Sequence, residues 1–445
     1  MAADSNRSST RPVAIDLFAG AGGLSLGFEM AGFDVVSAVE YDPVHAATHL
    51  FNFPDCDVLC RDVSMISGSD LRASAAAGWR RHNPEVEWDG VVDVIVGGPS
   101  CQGFSVMGKR DENDERNKLV EEFARLVVEV RPRAFVMENV PGILSPQYAA
   151  MLAGVLGRLR DAGYTLNDHA EPLDATAYGV PQRRKRVVIV GTLRGVEVLR
   201  PAATVTEAVT AGEALAGLPR IVGRSGADGE LLELSDDQYD SYVAADNPYL
   251  RALAGGHLAH ARPTAERVLS GCLATEHQSA SIARFRDVAQ GTTEPVSRAW
   301  RIARSAPVRT LRAGTGRERG AFSASRPLHP DEPRVITVRE AARLHSFPDW
   351  FRFHATNWHA HRQIGNAVPP FLARAVATSV LAALDREVPS HVRPVGAGDP
   401  SLLALSPTSA ATLFEAFRHE VPRPRRRPQP KTGFENEQGA QRTTA

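Results

Sequence analysis

Of the four cysteines, Cys56, Cys60, Cys101 and Cys272, one is set apart by its neighbours. Cys101 lies in Gly97-Gly98-Pro99-Ser100-Cys101-Gln102-Gly103-Phe104-Ser105, just after the apolar run Val91–Val96. A cysteine is most often a small packing residue. Glycine, proline, serine and glutamine give this one no core to pack into, and an exposed strand end suits a nucleophilic thiol. Cys56 and Cys60 have no second ligand pair nearby, so they read as packing or surface residues and no metal is expected.

Carboxylates end two other apolar runs. Glu138 follows Phe135-Val136-Met137, and a charge placed directly after a buried strand is costly unless it has work to do, capping a helix being the plain alternative. Glu40 closes Val35–Val39, 20 residues beyond Gly20 in the turn Gly20-Ala21-Gly22-Gly23. An acid there can accept hydrogen bonds from ribose hydroxyls, and the glycines allow close backbone approach. Ser25 stands where the third glycine of a dinucleotide fingerprint would be. The pair points to an adenosine-containing ligand and leaves NAD and S-adenosylmethionine both open. Gln182-Arg183-Arg184-Lys185-Arg186 runs into the strand Val187–Val190, so its alternate side chains should face opposite sides of a sheet.

The elements that carry these groups follow from the apolar pattern. Val13–Phe18, Val35–Val39, Val91–Val96, Ala134–Met137 and Val187–Val190 read as strands. Helices are expected from Leu24 to about Gly32, over 119–130 and 151–159, and from Gln363 to Leu384. Alternation of this kind predicts an α/β fold with a mostly parallel sheet, whose ligands gather at the carboxyl ends of the strands. The glycine turn, Glu40, the Cys101 loop and Glu138 would then share one sheet edge. The expected divisions are a disordered lead (1–11), a catalytic and cofactor-binding part (12–195), a smaller inserted domain (196–330), a return to the catalytic part (331–387) and a disordered tail (388–445). Net charge is −1, with 43% hydrophobic and 23% charged residues, so any nucleic-acid affinity must come from local basic patches. No apolar run approaches bilayer length and the N-terminus lacks a signal-peptide core, which places the chain in the cytoplasm.

Six segments taken together resemble the cytosine-5 DNA methyltransferase family: DLFAGAGGLSLGF (16–28), GGPSCQGFS (97–105), ENV (138–140), GVPQRRKR (179–186), RPLHPDEPRVITVREAARLHSFPD (326–349) and RQIGNAVPP (362–370). Ser100 replaces the second proline usual in the family's nucleophile loop. The resemblance implies a Rossmann-like S-adenosylmethionine-dependent methyltransferase domain with an inserted target-recognition domain. It makes Cys101 the nucleophile that adds to carbon 6 of a flipped-out cytosine, and Glu138 the acid at ring nitrogen 3, which should then be at least partly protonated. Arg184 and Arg186 would hold the base and its backbone. Phe18, Gly20, Gly22, Gly23, Leu24, Glu40, Asp62, Pro99 and Asn366 would line the S-adenosylmethionine site. The segment after Gln363–Asn366 should close that pocket.

Residues 298–319 hold seven arginines and one acid. Such a run is ordinarily a solvated surface. Beside a DNA-modifying site it suggests phosphate contacts, with Arg301, Arg304 and Arg312, together with Gln182, as the expected DNA-binding residues. The polar stretch Met107–Glu115 is a candidate lid. His257, His260, His354, His359 and His361 lack partners for a metal and read as surface or structural. The expected partner is duplex DNA, with a cognate restriction endonuclease acting on the same site, no membrane, and a monomeric state. An RNA cytosine-5 methyltransferase, a silent DNA-binding scaffold and an NAD-dependent dehydrogenase are the alternatives. The last is disfavoured by Ser25 and the Cys101 loop.

Overall fold

In a computed structural model the described residues are 10–99, 118–167, 171–193, 195–219, 231–253, 259–262, 267–314, 326–389 and 393–415. Strands β1 (Val13–Leu17), β2 (Asp34–Val39), β3 (Asp57–Leu59), β4 (Val94–Gly97) and β5 (Ala134–Asn139) run parallel in the order β3-β2-β1-β4-β5. The short strands β6 (Thr165–Leu166), β7 (Leu173–Asp174) and β8 (Gln182–Arg183) precede β9 (Lys185–Thr192). β9 pairs antiparallel with β5, and β6 and β7 pair antiparallel with β9. The sheet is thus parallel through β1–β5, as the expectation of a mostly parallel sheet has it, and antiparallel where β9, β6 and β7 join.

The sheet is covered on both faces, and residue parity decides which face each side chain takes. Ala14, Val94, Val96, Ala134, Val136, Val188 and Val190 join one core with helix α1 (Gly23–Met30). Ile15, Leu17, Ile95, Phe135, Met137 and Ile189 join the other, with helices α3 (Gly68–His82), α4 (Lys118–Val130) and α5 (Ala149–Asp161). Helix α2 (Pro43–Asn52) is capped by Asp42, whose side chain accepts from Val44 and His45 N–H. The helical periodicity expected over 119–130 is realised: Val120, Phe123, Leu126, Val127 and Val130 are all fully buried. β3, α2 and α3 were not foreseen, because β3 is short and half-buried and α3 is mostly polar.

After β9 the chain leaves the sheet. The insert is less separate than its composition suggests: Val198, Ala211, Ala214, Tyr249, Leu253, Ile302, Val308 and Leu311 are buried in the same core as α1. Two small clusters stand apart, Leu234–Leu269–Cys272 and Phe285–Leu328–Val335. Two strands of the insert, β10 (Leu231–Glu233) and β11 (Val268–Ser270), pair with each other, and β12 (Val308–Arg309) pairs with β8 beside the catalytic sheet.

The chain returns through α6 (Val338–Arg343), α7 (Asn357–Asn366) and α8 (Pro370–Leu384). The single helix expected from Gln363 to Leu384 is broken at 367–369, where Pro369 and Pro370 remove backbone donors. Residues 357–384 contain an 18-residue window whose mean hydropathy, 1.6, reaches that of a membrane span, contrary to the sequence expectation. That window is 72% buried within the protein, as in a core helix. The tail expected to be disordered is packed over 393–415: Val395, Leu403, Ala410 and Ala411 are buried, and Gly398 N–H donates to Phe51 O on α2.

Candidate active site

β1 ends because Phe18 adopts a left-handed φ of 62°, and Gly20 (58°) and Gly22 (105°) continue the turn. A β-carbon on Gly20 would meet nothing within 4 Å, so this edge of the turn opens onto free space. One on Gly23 would lie 2.4 Å from Val368 O and 3.0 Å from Ala367 Cβ. The segment after Asn366 therefore lies directly on the turn, and only glycine lets it do so. Asn366, the last residue of α7, is exposed; Leu24 is buried at the start of α1.

Glu40, half-buried at the end of β2, accepts from Gly20 N–H at 2.7 Å and from Asp42 N–H at 2.8 Å, one bond to each carboxylate oxygen. Each oxygen keeps a further lone pair. Burial raises the pKa of Glu40, against the opposing pull of His45. Asp62 caps the short turn that follows it, accepting from Ser64 N–H and Oγ–H. The open turn, Glu40 and Asp62 are compatible with an adenosine ligand.

Cys101 and the Met107–Glu115 stretch lie outside the described residues, as does His257. The base of their loop is described. Pro99 is buried, and its carbonyl accepts from Asn139 Nδ2 at 3.2 Å. A β-carbon on Gly98 would sit 2.9 Å from Glu138 Oε2. The loop that carries Cys101 thus leaves the sheet against Glu138. Glu138 itself is buried, but burial is not its whole environment: Arg186 Nε donates to its Oε1 at 2.6 Å. The pair sits on adjacent strands and both residues share the sheet face of Val136 and Val188.

Arg184 and Gln182 turn inward. Arg184 is buried and donates to the carbonyls of Leu311, Gly365 and Ala367 at 3.0–3.1 Å. Gln182, fully buried, accepts from Leu311 N–H at 2.9 Å and donates to His345 Nδ1 at 2.9 Å, and His345 Nε2 donates to Ala367 O. Burial and then Arg184 push the His345 pKa well down. Together these side chains brace the segment that lies on Gly23. His345, not singled out in the sequence, is part of that brace. Gln182 is wholly buried with both ends of its amide bonded inside the protein, so its expected DNA contact is corrected to a bracing role.

Arg301 requires a similar correction. It is buried, and its guanidinium donates to the carbonyls of His329, Pro330, Glu332 and Phe285. Arg304 is exposed but lies bidentate on Asp331 at 2.5–3.0 Å. Arg312 is exposed, as are Arg183, Lys185 and Arg309 on the β8–β12 side. Cys56 and Cys60 are both buried; burial raises the Cys60 thiol to about 12.

Among the described residues one group has metal-like spacing, Asp34, His82 and His260. His260 Nε2 lies 3.1 Å from Asp34, but Arg11 approaches the same nitrogen at 3.3 Å and Arg393 donates to His82 Nδ1 at 2.9 Å. Two guanidinium groups thus stand at the histidine nitrogens that face Asp34, and their positive charge disfavours a cation there.

The chain is 42% identical over 436 residues to the Type II methyltransferase M.XorII of Xanthomonas oryzae pv. oryzae, covering 96% of this chain and 99% of that one. It is 33% identical over 370 residues to the Type II methyltransferase M1.HphI of Haemophilus parahaemolyticus, covering 82% and 86%. A crystal structure of a protein assigned as a DNA modification methyltransferase, encoded within an E. coli prophage, superposes with a TM-score of 0.68 at 33% identity, over 84% of this chain and 100% of that one. A family model described as C-5 cytosine-specific DNA methylase matches residues 13–382, and the chain belongs to that family of DNA (cytosine-5)-methyltransferases.

Proposed function

We propose that the protein methylates carbon 5 of a flipped-out cytosine within a specific duplex DNA sequence, as the modification enzyme of a Type II restriction–modification system. The observation that carries the mechanism is the close approach of Gly98 to Glu138 Oε2, with Pro99 O held by Asn139 and Arg186 on the other carboxylate oxygen. A thiolate on Cys101 would add to carbon 6 and turn carbon 5 into a nucleophile. Glu138 would hold ring nitrogen 3 and stabilise the charge that develops during addition, oriented by Arg186. S-adenosylmethionine, when bound, supplies the electrophilic methyl group. The residues that would hold it are Phe18, Gly20, Gly22, Gly23, Leu24, Glu40, Asp62, Pro99 and Asn366. Open space above Gly20 and the spare lone pairs of Glu40 support that fit. The fold works without a metal in this reading. A base then removes the carbon 5 proton and the thiol leaves.

Arg312, with Arg183, Lys185 and Arg309, would contact phosphates, and the 196–330 insert would read the sequence. A cognate endonuclease would act on the same site without forming a stable complex, and the protein would work as a monomer.

The test is Cys101→Ser in the full chain. Methyl transfer to duplex DNA should be abolished while S-adenosylmethionine binding persists. A duplex carrying 5-fluorocytosine at the target should trap a covalent complex with the unmutated protein, because fluorine blocks the last proton removal. Near-normal turnover by the variant would overturn the nucleophile assignment.

A further inference from the structure

Beneath the glycine turn the protein buries three polar side chains from three elements: Asp16 on β1, Ser25 on α1 and His49 on α2. Ser25 Oγ lies 2.6 Å from Asp16 Oδ2 and 3.0 Å from His49 Nε2. Ser25 N–H donates to the same carboxylate oxygen at 3.1 Å. The N-cap of α1 is Gly22, which has no side chain to offer, so Asp16 reaches across from the strand and caps the helix in its place. Asp16 Oδ1 and His49 Nδ1 are buried without a hydrogen-bond partner. The His49 and Phe53 rings, 4.7 Å apart and tilted by 30°, fill the space where a β-carbon on Gly22 would go. The three side chains therefore touch the turn twice, through the start of α1 and under Gly22.

We propose that Ser25 is a positioning residue whose hydroxyl, held between Asp16 and His49, couples a buried protonation step to the cofactor affinity of the glycine turn. The inference rests on the reading that S-adenosylmethionine binds at this turn. A hydroxyl has one proton to give. With Asp16 ionised, Ser25 O–H donates to the carboxylate and His49 must present Nε2–H to the serine oxygen. With Asp16 protonated, the carboxyl donates to Ser25, whose hydroxyl then donates to a bare His49 Nε2. The anionic cap of α1 exists only in the first state, and only that state adds a negative charge near a ligand that carries a sulfonium.

The surroundings set where the change falls. Burial pushes the Asp16 carboxyl up to about 7; the hydrogen bonds from Ser25 oppose this and the charge of Glu40 adds to it. Burial lowers His49 to about 3, so it stays neutral. Among the described residues Cys56 also interacts with Asp16, and burial raises its thiol too. The strand neighbours of Asp16 in register are Ala38 and Val96, which carry no charge.

The experiment is calorimetric titration of the full chain with S-adenosylmethionine between about pH 6 and 8.5, for the unmutated protein, Ser25→Ala and Asp16→Asn, with Tm measured alongside. Affinity of the unmutated protein should tighten about threefold to tenfold as pH rises through neutrality, the scale of one or two modest hydrogen bonds. Ser25→Ala should raise Kd by about the same factor and displace the midpoint, with KM for the methyl donor raised and kcat within about twofold. Asp16→Asn should bind with no pH step. A merely structural role would lower Tm and leave the midpoint where it was. Ser25→Ala with an unchanged Kd and midpoint, or Asp16→Asn that keeps the pH step, overturns the inference. Failure of the unmutated protein to bind S-adenosylmethionine would strike the cofactor reading itself.

Discussion

Arg184 and Arg312 both come from basic stretches of sequence and meet opposite fates. Arg184 is buried, with three backbone carbonyls around its guanidinium, and holds the closing segment on Gly23. Arg312 lies exposed on the insert. Arg301, Arg339 and Arg343 follow the first pattern: Arg339 donates to Ser270 O, Pro348 O and Phe351 O, and Arg343 is clamped on Asp349 at 2.6 Å. Arg183, Lys185 and Arg309 follow the second. A guanidinium has five donors in a planar fork, so in a loop-rich region it can satisfy carbonyls that no ladder reaches. A run of arginines is thus partly internal bracing and partly outward charge.

The largest expected effect is on the inward side. Arg184→Ala and Arg301→Ala should each cost about 3 kcal/mol, since several buried carbonyls lose charged donors. Urea unfolding checks this, and a cost under about 0.5 kcal/mol would place these side chains with the outward group.

Buried histidines come next. Burial lowers His49 and His361 to about 3. In the unfolded chain they bind protons below the ordinary value of 6.5, so unfolding takes up protons and stability falls as pH drops through that window. Each should cost about 2 kcal/mol by about pH 5. Asp16 acts in the opposite sense: its raised folded value favours the folded state at low pH and loses that contribution as pH rises from 3.8 towards 7. His49→Gln should flatten the acid limb of a urea-midpoint-against-pH curve; an unchanged limb would show that other groups govern it.

On the outward side the effects move from stability to binding. Arg312→Ala should change stability by less than about 0.5 kcal/mol, weaken binding to all duplex sequences, and reduce the log-affinity slope against log salt by about one. An unchanged slope would remove Arg312 from the phosphate contacts. Arg304→Ala should do least. Its pairing with Asp331 is solvent-exposed, and such pairs are worth about 0–1 kcal/mol. A loss of DNA affinity larger than that of Arg312→Ala would mean that Asp331 releases Arg304 to the DNA.

By itself the sequence determined the strands that carry the chemistry and the placement of the glycine turn, Glu40 and Glu138 at strand ends. Val13–Leu17, the turn after it and Ala134–Asn139 are local patterns: an apolar run followed by glycine or by a single acid needs no distant information. Parity along 182–186 also separated the exposed Arg183 and Lys185 from Arg184 and Arg186, while the register with β5 put Glu138 and Arg186 on one face. Sequence could not tell Arg184 from Arg312, or foresee that 393–415 packs on α2, because those outcomes depend on carbonyls and apolar faces contributed from far along the chain. The same holds for Ser25, read as the absence of a glycine. Only when β1, α1 and α2 pack together does its hydroxyl come between Asp16 and His49, since a hydrogen bond needs both partners within about 3 Å and residues 16 and 49 meet only in the folded core.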